Sequence, residues 1–362
     1  MASLNRRHLL AGLGASVALP WVVPAVAASS DAAERLAALV QAGKVPGLHA
    51  LLVSQGGKLV FEHYGEGEDQ RWDRTLGNVV FGPDVLHDLR SVSKSVVGLA
   101  YGIALSEGKV PAPDAKLYAQ FPEYADLAAQ PGRDKLTIHH LLSMTLGLEW
   151  DELTIPYGDP RNSEIAMEAA PDRYRFILGR PIVGEPGAKW TYCGGATALL
   201  GRLIAKGTGQ ALPAYCRRVL FDPLGFGPSD WSVGHDGEPR AASGARLLPR
   251  DLLKIGQLML ANGRWNGKSV VPADWVKRVT TPVVQTRVGR DYGYQWYIGD
   301  FATAQPLHWF GAVGWGGQYL YVIPARDLAF VIHCGNYGRS GQEQAAVLIA
   351  LLNDVVLPGF AT

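Results

Sequence analysis

The sequence predicts an α+β fold: an antiparallel sheet flanked by helices and built from both ends of the chain, with a mostly helical region inserted between. Three observations predict it. Strand patterns cluster before about residue 65 and return after about 290, helical patterns fill the stretch between, and no βαβ alternation runs through the chain.

The elements follow in order. Asn5-Arg6-Arg7-His8-Leu9-Leu10 precedes the apolar run AGLGASVALPWVVPAVA, and Ala25-Val26-Ala27 offers a small-residue cleavage site. Paired arginines ahead of a short Gly/Ala-rich run, broken by Pro20 and Pro24, read as a twin-arginine export signal over 1–27 rather than an anchor. Asp31 with Glu34 three residues on starts a helix that ends near Gly43. GLHALLVSQ and KLVFEHYG, joined by Gly56-Gly57, read as a hairpin. An apolar helix opens at Ser91. Helices follow in IHHLLSM, GATALLGRLIAKG and PRDLLKIGQLMLANG. Strands return in YGYQWYIG, PLHWFG, GQYLYVIP and LAFVIHC, and QEQAAVLIALLNDVV closes the chain as a helix. This gives a sheet domain from 28–130 and 285–362, with 131–284 as the helical insertion. The meeting of the two makes a natural substrate cleft.

Composition narrows the function. The chain has 362 residues, 48% hydrophobic and 19% charged, which suits a globular enzyme. Without Arg6 and Arg7 there are 32 basic against 33 acidic residues, a balance that gives no reason to expect nucleic acid or stable membrane binding. Cys193, Cys216 and Cys334 are odd in number and widely spaced; a disulfide framework is not expected, although one pair is left open. No zinc-protease motif, phosphate loop or dinucleotide fingerprint occurs, so neither metal nor cofactor is expected. His139 and His140 are consecutive, point to different helix faces and read as structural.

The candidate chemistry starts at Ser91-Val92-Ser93-Lys94. Residues three apart are neighbours on a helix, so the Lys94 amine can reach the Ser91 hydroxyl. A serine attacks only when its proton is taken, and burial in the apolar run around Val96, Val97 and Leu99 favours a neutral, basic lysine. The free N–H groups and positive dipole end at the helix start suit an oxyanion. The competing reading is an N-capping serine beside a surface lysine. Ser106-Glu107-Gly108-Lys109 repeats the spacing but reads as a helix end.

Tyr192, on the turn PGAKWTYCG ahead of a helix, could hold or pass a proton; otherwise it packs in the core with Trp190. Trp315-Gly316-Gly317-Gln318 leads into a strand. Glycines on an edge strand there would admit a substrate backbone and aim one N–H toward that of Ser91.

These elements, in this order and spacing, resemble the serine β-lactamase and penicillin-binding-protein superfamily. The likeness is to its class C-like branch, with family VIII carboxylesterases and 6-aminohexanoate-dimer hydrolases. Leu136 to Met144, Gly147 to Glu152, Pro186-Gly187, Pro249 to Leu253 and Asn266-Gly267 extend the resemblance over the mature chain. It implies a β-lactamase/transpeptidase-like fold, Ser91 as acylated nucleophile, Lys94 as base partner and Tyr192 as the tyrosine of Tyr-x-Asn. It also implies a second oxyanion N–H from Gln318, with Trp315, Gly316 and Gly317 at the substrate. Two departures stand out: Gly194 replaces the asparagine, and Trp315-Gly316-Gly317 replaces Lys-Thr-Gly. Without that cation, esters or linear amides are expected above β-lactams. No Gly-x-Ser-x-Gly is present, against an α/β-hydrolase. The expectation is an exported, periplasmic serine hydrolase for small ester or amide substrates. A β-lactamase or D-amino-acid peptidase is the nearer alternative, and a protein that acylates and stalls, or a non-catalytic scaffold, the further one. Oligomeric state is open.

Overall fold

The structure is a computed structural model that describes residues 30–360 apart from 73, 288 and 304; the expected export segment, 1–27, lies outside them. In chain order the strands are β1 (Leu48–Gln55), β2 (Lys58–Tyr64), β3 (Glu66–Arg71), β4 (Arg74–Val80), β5 (His87–Asp88), β6 (Asp230–Trp231) and β7 (Ala245–Leu247). They continue with β8 (Arg264–Trp265), β9 (Lys268–Ser269), β10 (Val284–Gln285), β11 (Asp291–Tyr292), β12 (Tyr297–Phe301), β13 (Leu307–Gly314), β14 (Gln318–Ile323) and β15 (Leu328–Cys334).

Eight of these form one sheet in the order β10-β11-β12-β13-β14-β15-β1-β2, antiparallel throughout. The two ends of the chain meet where β1 pairs with β15, from Leu48 opposite Cys334 to Gln55 opposite Leu328. Strand periodicity explains the layering, because successive side chains take opposite faces. Leu51, Val53, Tyr319, Tyr321, Phe330 and Ile332 face one core, with Ala32 and Leu36 of the helix Ser30–Gln41 and Val347 and Leu351 of the helix Gly341–Leu351. Ala50, Leu52, Leu320, Val322, Ala329 and Val331 face the other, with Val96 and Leu99 of the helix Val92–Ser106 and Leu252 and Ile255 of the helix Pro249–Leu260. The last helix therefore lies on the sheet although the sequence places it inside 131–284. Its Gly256 approaches so closely that a Cβ would sit 2.7 Å from that of Ala329.

The Trp315-Gly316-Gly317 segment corrects one expectation. It is the turn between β13 and β14, and β14 lies inside the sheet between β13 and β15, not at an edge. Gly316 and Gly317 take φ of 86° and 91°, a left-handed region that favours glycine. The three cysteines are free and buried. His139 bonds the Tyr294 hydroxyl at 2.7 Å, and His140 Nδ1 accepts from the Thr137 N–H at 3.1 Å, which gives both structural roles. Among the described residues no helix is long and apolar enough to cross a membrane.

Behind the turn lie three buried histidines. His49 Nδ1 and His87 Nε2 are 2.9 Å apart, His87 stacks on His333 with centroids 4.3 Å apart, and His333 Nδ1 faces Gln318 Oε1 at 2.9 Å. Burial lowers all three, His49 to about 4 and the other two well below the usual imidazole range. The unfolded chain therefore binds protons below pH ~6.5 that the folded chain refuses. Stability is complete above that pH and falls as pH drops toward 4. The midpoint of urea unfolding is expected to fall steeply between pH 6.5 and 4.5; a flat midpoint over that range contradicts the neutral cluster.

Candidate active site

Arg90 sets the entry to the central helix. It holds φ at 48°, with Nη2 donating to Gln70 Oε1 and the Trp72 carbonyl and Nε 3.2 Å from Asp88. This strained residue turns the chain from β5 into the helix Val92–Ser106, which is buried from Val92 to Ala104. Ser91 stands at the N-cap position but makes no side-chain cap. Its hydroxyl instead accepts from Lys94 Nζ at 3.1 Å. Lys94 also donates to the Ala242 carbonyl at 3.1 Å and is only 2% exposed. The N-capping serine and surface lysine of the competing reading are therefore not what forms. The neighbouring Ser93 and Ser95 hydroxyls are spent on the Ala245 N–H and the Gln295 carbonyl.

Tyr192 reaches the pair from the segment ahead of the helix Gly194–Thr208, which the Thr191 N–H pins to the Met144 carbonyl. Its ring centroid lies 4.8 Å from Lys94 Nζ, and its hydroxyl interacts with the Ser91 side chain. It also packs on Trp190, 5.8 Å between centroids. Burial and then the Glu152 charge push its phenol well above the usual tyrosine range, against the effect of the Ser91 hydrogen bond.

Ser91 opens on a cavity of about 320 Å³ walled by Trp72, Tyr157, Trp315 and Tyr337, with Glu164 and Ser243 at its side. Trp315 is fixed by its Nε1, which donates to the Tyr337 carbonyl at 2.9 Å. Gly314 abuts the Leu89 carbonyl, so the end of the β13–β14 hairpin touches the segment leading to Ser91. Gly316 and Gly317 are packed against Tyr337 and Cys334, and Trp315 presents the turn to the cavity. The Gln318 side chain is turned inward, its Nε2 donating to the Cys334 carbonyl at 2.6 Å.

Sequence reasoning missed two buried carboxyls beside this cluster. Asn162 caps the helix Ser163–Ala169 by accepting from the Glu164 and Ile165 N–H groups, which places Glu164 where Ser243 Oγ donates to it at 2.8 Å. Trp72 Nε1 in turn donates to Ser243 Oγ at 2.9 Å. Glu152 Oε1 accepts from Trp150 Nε1 at 2.6 Å and from the Gly194 N–H. Burial, followed by the Glu164 charge, pushes Glu152 up to about 8. The Trp150-Asp151-Glu152 stretch carried the family resemblance, but nothing in it marked the glutamate as buried.

His49, Asp69 and His87 bring potential ligand atoms within 4.8 Å of one another. The two imidazoles bond each other through His49 Nδ1 and His87 Nε2, and Asp69 accepts from Arg246 at 3.1 Å. The donor set is a hydrogen-bonded core rather than a prepared metal centre.

A serine–lysine–tyrosine cluster at the head of a buried helix, set against a helix-flanked antiparallel sheet, defines a class, and the family comparison agrees. The beta-lactamase family profile matches residues 32–353, and the chain belongs to that family. It is 26% identical over 318 residues to a 6-aminohexanoate-dimer hydrolase of Paenarthrobacter ureafaciens, covering 78% of this chain and 71% of that protein. It is 31% identical over 176 residues to esterase EstB of Burkholderia gladioli, 43% of each chain. In structure it resembles a class C beta lactamase from Rhodobacter sphaeroides, with a TM-score of 0.66 at 18% identity over 91% of this chain and 100% of that one. The chain is a β-lactamase-fold hydrolase.

Proposed function

We propose that this chain is an exported serine hydrolase that cleaves ester or amide bonds of small molecules through an acyl-enzyme on Ser91. The observation that carries the reading is the buried Lys94 amine, 3.1 Å from a serine hydroxyl that faces the cavity. Ser91 Oγ attacks the carbonyl carbon while its proton passes to the Lys94–Tyr192 pair. The oxyanion is held by the N–H groups of Ser91 and Gln318. Collapse breaks the bond to the leaving group, which takes the proton back from the pair, and water then releases the acid and regenerates the Ser91 hydroxyl.

The aromatic walls and the uncharged Trp315 support apolar acyl groups in esters or linear amides, because the one cation lining the cavity among the described residues, Arg90, is already engaged by Gln70, the Trp72 carbonyl and Asp88. The test compares p-nitrophenyl esters, a chromogenic cephalosporin, 6-aminohexanoate oligomers and D-alanyl peptides on wild type and Ser91→Ala. Ester or oligomer turnover that vanishes in Ser91→Ala is expected. Preferred turnover of the cephalosporin or the D-alanyl peptide moves the protein to the nearer alternative, and turnover that survives Ser91→Ala ends the proposal. Export rests on Arg6 and Arg7; replacing both by lysine is expected to leave the protein unprocessed in the cytoplasm. Unchanged processing contradicts it.

A further inference from the structure

Gly194 stands where the resemblance places an asparagine, and the space beside it is filled. A Cβ on Gly194 would lie 2.7 Å from Glu152 Oε1 and 3.4 Å from the Glu164 carboxyl. The Gly194 N–H itself binds Glu152 Oε1. Glu152 Oε2 is buried without a hydrogen-bond partner among the described residues, so this carboxyl is not simply tied down as a structural ion pair. Lys94 acts on it electrostatically, and it acts in turn on Tyr192.

We infer, resting on the proposed serine chemistry, that Glu152 is a positioning residue: its carboxylate, seated in the slot left by Gly194, stabilises the proton moving from Ser91 onto the Lys94–Tyr192 pair. That transfer separates charge inside a dry site, where a nearby anion counts for far more than in water. The groups facing Glu152 are Lys94 from the central helix, Glu164 from the helix Ser163–Ala169, Tyr192 and Cys193 from the segment before Gly194, Tyr157 from its own loop and Tyr292 from β11. Burial, then the Glu164 charge, pushes this carboxyl up to about 8, and the proton that reaches Lys94 during the attack favours its ionised form. Only the ionised form assists, so activity climbs as pH rises through that value.

The experiment is the pH dependence of kcat and KM on the preferred ester for wild type and Glu152→Gln, with Ser91→Ala alongside. Glutamine keeps the shape and can still accept from Trp150 and Gly194. Expected is a kcat about tenfold lower at pH 8.5, the scale of one shielded charge interaction, with KM little changed and the climb between pH 7 and 9 gone. A Glu152→Gln profile that superimposes on wild type overturns the inference. Should the glutamine variant not fold, Glu164→Gln gives the second reading. Removing the neighbouring charge is expected to shift the climb to lower pH, and an unmoved climb overturns the inference equally. Turnover that survives Ser91→Ala would sink the parent reading instead, so the two failures are separable.

Discussion

Lys94→Ala is expected to lower kcat by about 10³-fold or more while leaving a cooperatively folding protein. Alanine is a good helix former, so the helix Val92–Ser106 persists. What disappears is the amine that contacts Ser91 Oγ and the Ala242 carbonyl, each at 3.1 Å. Ser91 then keeps its proton, and Tyr192, held well above the usual phenol range by burial, is a poor base on its own. Lys94→Arg is expected to fail as well, because a guanidinium stays charged and its planar fork does not fit a site shaped for one amine. Steady-state kinetics on the preferred ester checks both. A Lys94→Ala enzyme within tenfold of wild type contradicts the assignment of the amine.

The largest expected effect on stability is at Arg246. Its guanidinium donates to Asp88 at 2.7 Å, Asp69 at 3.1 Å, the Gln70 carbonyl at 2.9 Å and the Leu86 carbonyl at 2.7 Å. It thereby ties β7 to β3 and β5, immediately ahead of Ser91. Both carboxylates are nearly inaccessible, at 1% and 2% exposure. Arg246→Met leaves two buried acids without their common partner, a loss of about 3–5 kcal/mol. Chemical denaturation at pH 7 measures it, and a loss below about 1 kcal/mol would mean that the cluster behaves as an exposed pair. The variant should recover part of its deficit at low pH, where the stranded acids take up protons.

The strongly patterned elements were legible in the sequence because their physics is local. The β1–β2 hairpin shows as two strand-like runs around a two-glycine turn, and Ser91 and Lys94 are joined by helical spacing alone. What escaped depends on contacts distant in sequence. β3, with the sequence EGEDQR, has no apolar alternation, yet Asp69 is buried because Arg246 meets it from 177 residues away. Glu152 and Glu164 look like surface glutamates until Gly194, Trp150 and Ser243 fold around them. β5 and β6 have two residues each and β7 three, too few for any period to register. The glycine-rich turn was recognisable as special, but its place inside the sheet follows only from the pairing of β14 with both β13 and β15.

The most direct measurement is intact-protein and peptide mass spectrometry after rapid acid quench of wild type with a p-nitrophenyl ester. One added acyl group, carried on the peptide containing Ser91 and absent from Ser91→Ala, is the predicted result. An acyl group on any other side chain, or an equal adduct in Ser91→Ala, would contradict the account.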